Sequence, residues 1–159
     1  MYAQGYTNIA NGAAWGFRTI SPNAPFTQGR PYSDKKTQKA MVILTDGEQT
    51  IGGPRGGFSS GYTPFGFLGE PAVNGKTRLT GGNAKSALDN KLLEVCTAAK
   101  AKGILVYTIT FELNDVATKA TMAQCASAAG MYFDAKNASE LTPAFKKIAS
   151  SLGELRISG

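Results

Sequence analysis

Three short apolar runs stand out along the chain: Met41-Val42-Ile43-Leu44, Ile104-Leu105-Val106-Tyr107-Thr108-Ile109-Thr110-Phe111 and Met131-Tyr132-Phe133. Each is strand length and nearly unbroken, as expected for parallel strands covered on both faces. Helical periodicity fills the stretches around them. From about Asn8 to Ile20, residues Ile9, Ala13, Gly16, Phe17 and Ile20 fall on one face. From about Ala84 to Lys102, residues Leu88, Leu92, Val95, Cys96 and Ala99 align, and Gly103 follows as a stop signal. A third helix over Val116 to Ala128 would bury Met122, Cys125 and Ala126. A fourth, Ser139 to Leu152, aligns Leu141, Phe145, Ile148, Ala149 and Leu152. Helix alternating with strand predicts a doubly wound α/β sheet with flanking helices.

One segment breaks the alternation. Residues 52–83 contain ten glycines, three prolines and the aromatics Phe58, Tyr62, Phe65 and Phe67. A connection this long in a compact domain is usually a functional insertion or a floppy one. No apolar run reaches the roughly 20 residues that a membrane helix needs, so this segment is expected to make no membrane contact. Residues Met1 to Gly5 show no signal-peptide pattern, and any anchoring segment would lie upstream.

Composition narrows the chemistry. The chain has 159 residues, 42 % of them apolar and 18 % charged, which suits one globular domain. Its net charge is +6, but only Lys35-Lys36 with Lys39 and Lys146-Lys147 cluster, so a nucleic-acid partner is not expected. There is no histidine, which removes the usual general base and the commonest transition-metal ligand.

The candidate chemistry lies in Leu44-Thr45-Asp46-Gly47-Glu48, where a buried strand ends in a carboxylate and Gly47 permits a sharp turn. Ligands of open α/β sheets bind beyond the carboxyl ends of the strands, where Asp46 stands. Helices begin at that same edge, so Thr7 and Asp46 can face one another across it. Thr7 or Asn8 would cap the first helix. A hydroxyl and a carboxylate are hard oxygen donors and suit Mg²⁺; the plainer alternative is that Thr7 only caps.

Gly5-Tyr6-Thr7-Asn8-Ile9 before a helix, then Leu44-Thr45-Asp46-Gly47-Glu48, then Val106-Tyr107-Thr108-Ile109-Thr110-Phe111, resembles the later part of a von Willebrand factor type A (VWA) domain. The closer resemblance is to the VWA-like C-terminal region of TadG-type proteins of the tight-adherence pilus. It rests on Trp15-Gly16, Ser21-Pro22, Pro25-Phe26, Asp34, Leu88-Asp89, Ala101-Lys102-Gly103-Ile104, Cys125-Ala126-Ser127, Tyr132-Phe133 and Leu155-Arg156. The resemblance implies a three-layer Rossmann-like fold. It also implies a metal-ion-dependent adhesion site to which Thr7 and Asp46 contribute, and a protein partner among pilus components or adhesion ligands. The family's Asp-x-Ser-x-Ser strand is absent, so the resemblance makes residues 1–159 the C-terminal portion of one domain. It leaves the cation weakly held by this segment.

Cys96 and Cys125 fall on the second and third helices, which successive right-handed crossovers place on one face of the sheet. A disulfide or two buried thiols would both fit there. The resemblance implies a periplasmic or envelope location, where disulfides persist, and so a Cys96–Cys125 bridge rather than two thiols. The leading function is therefore a non-enzymatic interaction or adhesion module, with the four aromatics of residues 52–83 as partner contacts. The alternative is a Rossmann-like hydrolase or phosphotransferase using Asp46.

Overall fold

The computed structural model describes residues 7–50, 62–63, 66–67 and 84–157. Helix α1 (Ile9–Ile20) leads through a long connection into strand β1 (Ala40–Thr45). A two-stranded antiparallel ribbon follows, β2 (Tyr62–Thr63) with β3 (Gly66–Phe67). Then come α2 (Ala84–Ala101), β4 (Leu105–Phe111), α3 (Val116–Cys125), a short 3₁₀ turn, β5 (Tyr132–Ala135) and α4 (Ala138–Ile157). Strands β1, β4 and β5 form a parallel sheet in the order β1-β4-β5, with Ala40 opposite Leu105 and Thr108 opposite Tyr132. The chain thus has an α/β, Rossmann-like fold, with its helices on both faces of the sheet.

Two cores form, one on each side. Helices α1, α2 and α3 cover the face carrying Met41, Ile43 and Val106, and Leu88, Leu92, Met122 and the two cysteines fill the space between. On the other face Tyr107, Ile109 and Ala135 pack under α4 through Ile148. Among the described residues, helix α4 packs chiefly on β4 and β5. Val42 and Leu44, which point to the same side from β1, are therefore 42 % and 44 % exposed.

The helices end where backbone chemistry requires. Asn8 caps α1 by accepting from Asn11 N–H, and Asp115 caps α3 by accepting from Thr118 N–H. Gly103 ends α2 with φ +73°, a left-handed conformation that costs glycine little. Two expectations shift. Helix α3 stops at Cys125, and the 3₁₀ turn Ala129–Met131 carries the chain into β5. On α4, Ala144 and Ile148 form the buried stripe, while Phe145 is 46 % exposed and Ala149 lies outside. A small residue at the closest approach lets the helix settle on the sheet, and Phe145, 100° further round, is turned to the flank.

Candidate functional site

The carboxyl edge of the sheet gathers the ends of all three parallel strands and the beginnings of the helices. Thr45 ends β1 with its side chain buried, and its hydroxyl exchanges hydrogen bonds with Gly47, donating to the carbonyl and accepting from the N–H. That closes a tight turn on which Asp46 is exposed. A Cβ at Gly47 would come within 2.9 Å of Thr7 Oγ1, so any larger residue there would have to displace the Thr7 side chain. The Thr7 hydroxyl is thus held directly against the residue after Asp46.

Residues just past the turn fasten the two segments together. Thr7 N–H donates to Thr50 Oγ1 at 2.7 Å, and Thr50 N–H returns a bond to the Thr7 carbonyl at 2.8 Å. Gln49 is almost wholly buried, and its Oε1 accepts from Ile9 N–H at 2.8 Å and Ala10 N–H at 3.5 Å. Gln49 therefore satisfies donors in the first turn of α1 that the helix cannot satisfy itself. Its Nε2 has no partner among the described residues. Asn8, not Thr7, supplies the cap of α1, so the Thr7 hydroxyl has another place in the structure than capping.

Farther along the edge, strand ends and helix starts are joined by ion pairs. Asp134 on β5 accepts from Thr110 at 2.9 Å and from Lys119 Nζ of α3 at 2.9 Å. Burial pushes the Asp134 carboxyl up, but those two bonds outweigh it and hold the group below the usual carboxylate range. Lys85 at the start of α2 reaches Asp89 and Asp115, both at 3.3 Å. Desolvation alone would lower the Lys85 pKa, and the two carboxylates raise it. Asp115 is held low first by its bonds from Thr118. These groups tie α2, α3 and β5 to one another, while Asp89 Oδ1 is buried without a hydrogen-bond partner among the described residues.

Thr7 is thus packed against the turn that carries Asp46, and a hydroxyl and a carboxylate are oxygen donors of the kind a hard cation takes. No group of three acidic, Cys or His side chains that could hold a metal occurs among the described residues. Beside the turn, a groove of about 280 Å³ runs between α1 and β1, from Thr7 past Gly12 and Gly16 to Met41 and Leu44. Among the described residues, the outer edge of β1 has no neighbouring strand. Of the aromatics expected to meet a partner, Phe58 and Phe65 lie outside the described residues. Tyr62 and Phe67 pair across the β2–β3 ribbon by their backbones. Gln49 and Thr50 were not legible as site residues; the one available signal was their position directly after the Asp-Gly turn. Cys96 and Cys125 form a disulfide between α2 and α3, with Cα atoms 5.3 Å apart.

The architecture is that of a Rossmann-like α/β domain whose candidate site lies at the carboxyl edge. No family model matches the sequence, and no curated protein matches it. Two solved structures share the fold. Proximal thread matrix protein 1 from the mussel byssus is 18 % identical over 93 % of this chain, with a TM-score of 0.50. The pilus adhesin SpaC from Lactobacillus rhamnosus GG is 16 % identical over 93 % of this chain, with a TM-score of 0.55. The chain covers 27 % of the first and 19 % of the second, and at these identities the likeness is one of fold.

Proposed function

We propose that this chain is a non-enzymatic protein-interaction module, working in adhesion or in assembly of a tight-adherence pilus through the carboxyl edge of its sheet. The observation that carries this reading is the fastening of the Thr7 segment to the turn after Asp46 by Gln49, Thr50 and the close approach at Gly47. It supports the reading because it packs the Thr7 segment against the turn that carries Asp46, at the address where open α/β sheets bind ligands. In this reading Thr7 and Asp46 hold a divalent cation such as Mg²⁺, which keeps several of its waters. The bound cation supplies a coordination position open to an acidic side chain of a protein partner. Phe58, Tyr62, Phe65 and Phe67 belong to the segment that follows the turn, and we assign them to the contact surface as aromatic anchors. A fold shared with a pilus adhesin and a byssus matrix protein supports an adhesive role. A disulfide persists in oxidising compartments, which supports a periplasmic or envelope location.

Two protein donors make a weak site. Titration calorimetry of the 159-residue chain with Mg²⁺ is expected to give a Kd of about 1 mM or weaker, with Asp46→Ala abolishing the signal. Binding that survives Asp46→Ala would put the cation elsewhere and overturn the assignment. In the source cells, Asp46→Ala in the whole protein is expected to reduce surface attachment while the protein level stays unchanged.

A further inference from the structure

The opposite pole of the sheet carries a second pocket, which the reading above does not use. It opens at the amino edge, between the 31–39 segment that enters β1 and the end of α2, with a volume of about 380 Å³. Tyr32 forms one wall. Lys39 and Lys102 place their ammonium groups 4.8 and 5.7 Å from the centre of its ring, and Lys35 stands on the rim. The walls are fixed in place. Gln38 Nε2 donates to the carbonyls of Lys39 (3.1 Å) and Gly103 (3.0 Å), which joins the segment to the end of α2. Lys39 Nζ donates to the carbonyls of Ile20 and Arg30.

The charge of this pocket is unbalanced. Lys35, Lys39 and Lys102 line it together with a single carboxylate, Asp34. Asp34 is already committed, accepting from Lys36 N–H and from the Thr37 hydroxyl, with Arg30 at 3.8 Å. Lys36 N–H, Thr37 and Arg30 hold its carboxyl below the usual range, so it stays charged and occupied. No carboxylate pairs with Lys35, Lys36 or Lys102 among the described residues. Ammonium groups gathered in a concave site repel one another and focus a positive potential there, which an incoming anion relieves.

We propose that this amino-edge pocket binds a phosphate ester. The chemistry favours phosphate over a carboxylate. Planar, two-oxygen carboxylates are matched best by the fork of an arginine, whereas lysines act as separate point charges on a tetrahedral, multiply charged oxyanion. The pocket's cations are lysines, two from the 31–39 segment and one just past the end of α2, and no arginine lines it. A volume of this size takes a phosphorylated sugar or a phospholipid headgroup, and the two share the group being recognised.

The test uses the full chain with three probes: glycerol 3-phosphate, citrate, and vesicles of phosphatidylglycerol against phosphatidylcholine. Lys35→Glu/Lys102→Glu is the site variant. Lys136→Glu/Lys146→Glu makes the same charge change on exposed positions elsewhere, and thermal melting checks that both variants fold. The expected result is saturable binding of glycerol 3-phosphate or of phosphatidylglycerol vesicles, weakened by about tenfold or more in the site variant and little in the control. Binding of the soluble ester identifies a free phosphate compound as the ligand, and binding of vesicles alone identifies a headgroup. Equal weakening in both variants would reduce the effect to net charge and overturn the proposal. Citrate bound as tightly as the phosphate ester, or no saturable binding of either phosphate probe, would overturn it too.

Discussion

Gln49 carries an unusual share of the local structure for one uncharged side chain. It is 1 % exposed, and its amide oxygen accepts from backbone donors at the start of α1. Replacing it with leucine keeps the volume but leaves those buried N–H groups without an acceptor, which costs roughly 1–3 kcal/mol. Urea denaturation of Gln49→Leu is expected to show a loss of that size. A variant as stable as the parent would mean that water or another group takes over the acceptor's place. Acid sensitivity is also set at this scale. Asp115 and Asp134 both titrate lower in the folded chain than in the unfolded one. A carboxyl depressed in this way stabilises the fold above its unfolded pKa of about 4, and that contribution is lost as pH falls through the folded value. Stability is therefore expected to be flat near neutrality and to decline below about pH 4. In Asp134→Asn the decline should be shallower, because Lys119 no longer has a carboxylate to lose. Chemical denaturation across a pH series measures both slopes.

Among the elements, α2 and α3 depend most on each other. Their packing joins Leu88, Leu92 and Cys96 to Met122 and Cys125, all fully buried. The disulfide closes a loop spanning a sequence separation of 29, which on the chain-entropy account stabilises by about 3–4 kcal/mol. Reduction should lower the denaturation midpoint accordingly. Alkylation of the native, oxidised protein should label neither cysteine, whereas two labelled cysteines in that preparation would remove the bridge. Lys85 adds polar ties across the same pair of helices, through Asp115 and the Thr118 hydroxyl. With its folded pKa raised, the Lys85 contribution is present below about pH 10 and is lost as pH rises through the folded value.

At the scale of the whole molecule, the two faces of the sheet are covered unequally. Among the described residues, helices α1, α2 and α3 lie over one face, while α4 alone crosses the other, and Val42 and Leu44 are exposed. The same strand presents an unpaired outer edge among the described residues, and an exposed apolar edge is a template for strand pairing between copies. The 159-residue chain is therefore expected to self-associate with rising concentration, and a lysine at Val42 should suppress it. Light scattering over a concentration series tests this; a monodisperse monomer at all concentrations would show that edge to be protected.

Local pattern was enough for much of this architecture. Unbroken apolar runs and 3.6-residue stripes located three strands and four helices, because burial on two faces or on one leaves different periodicities in a sequence. The shared face of the two cysteines followed from the handedness of parallel crossovers, and the position of Asp46 at the carboxyl edge from its place at the end of a strand. Other features depend on approach in space and leave no periodic trace. Gln49 and Thr50 act on residues some forty positions away, through backbone groups that every amino acid carries. Phe145 has the hydrophobicity of a core residue, yet the rotation of α4 on the sheet gave the contact to Ala144 instead. Lys35 and Lys39 are near neighbours in the sequence, but Lys102 is not, and only the meeting of the 31–39 segment with the end of α2 brings it to the same pocket. Periodicity reports which side of an element is apolar; which distant groups meet there is decided by packing, and so only by the tertiary structure.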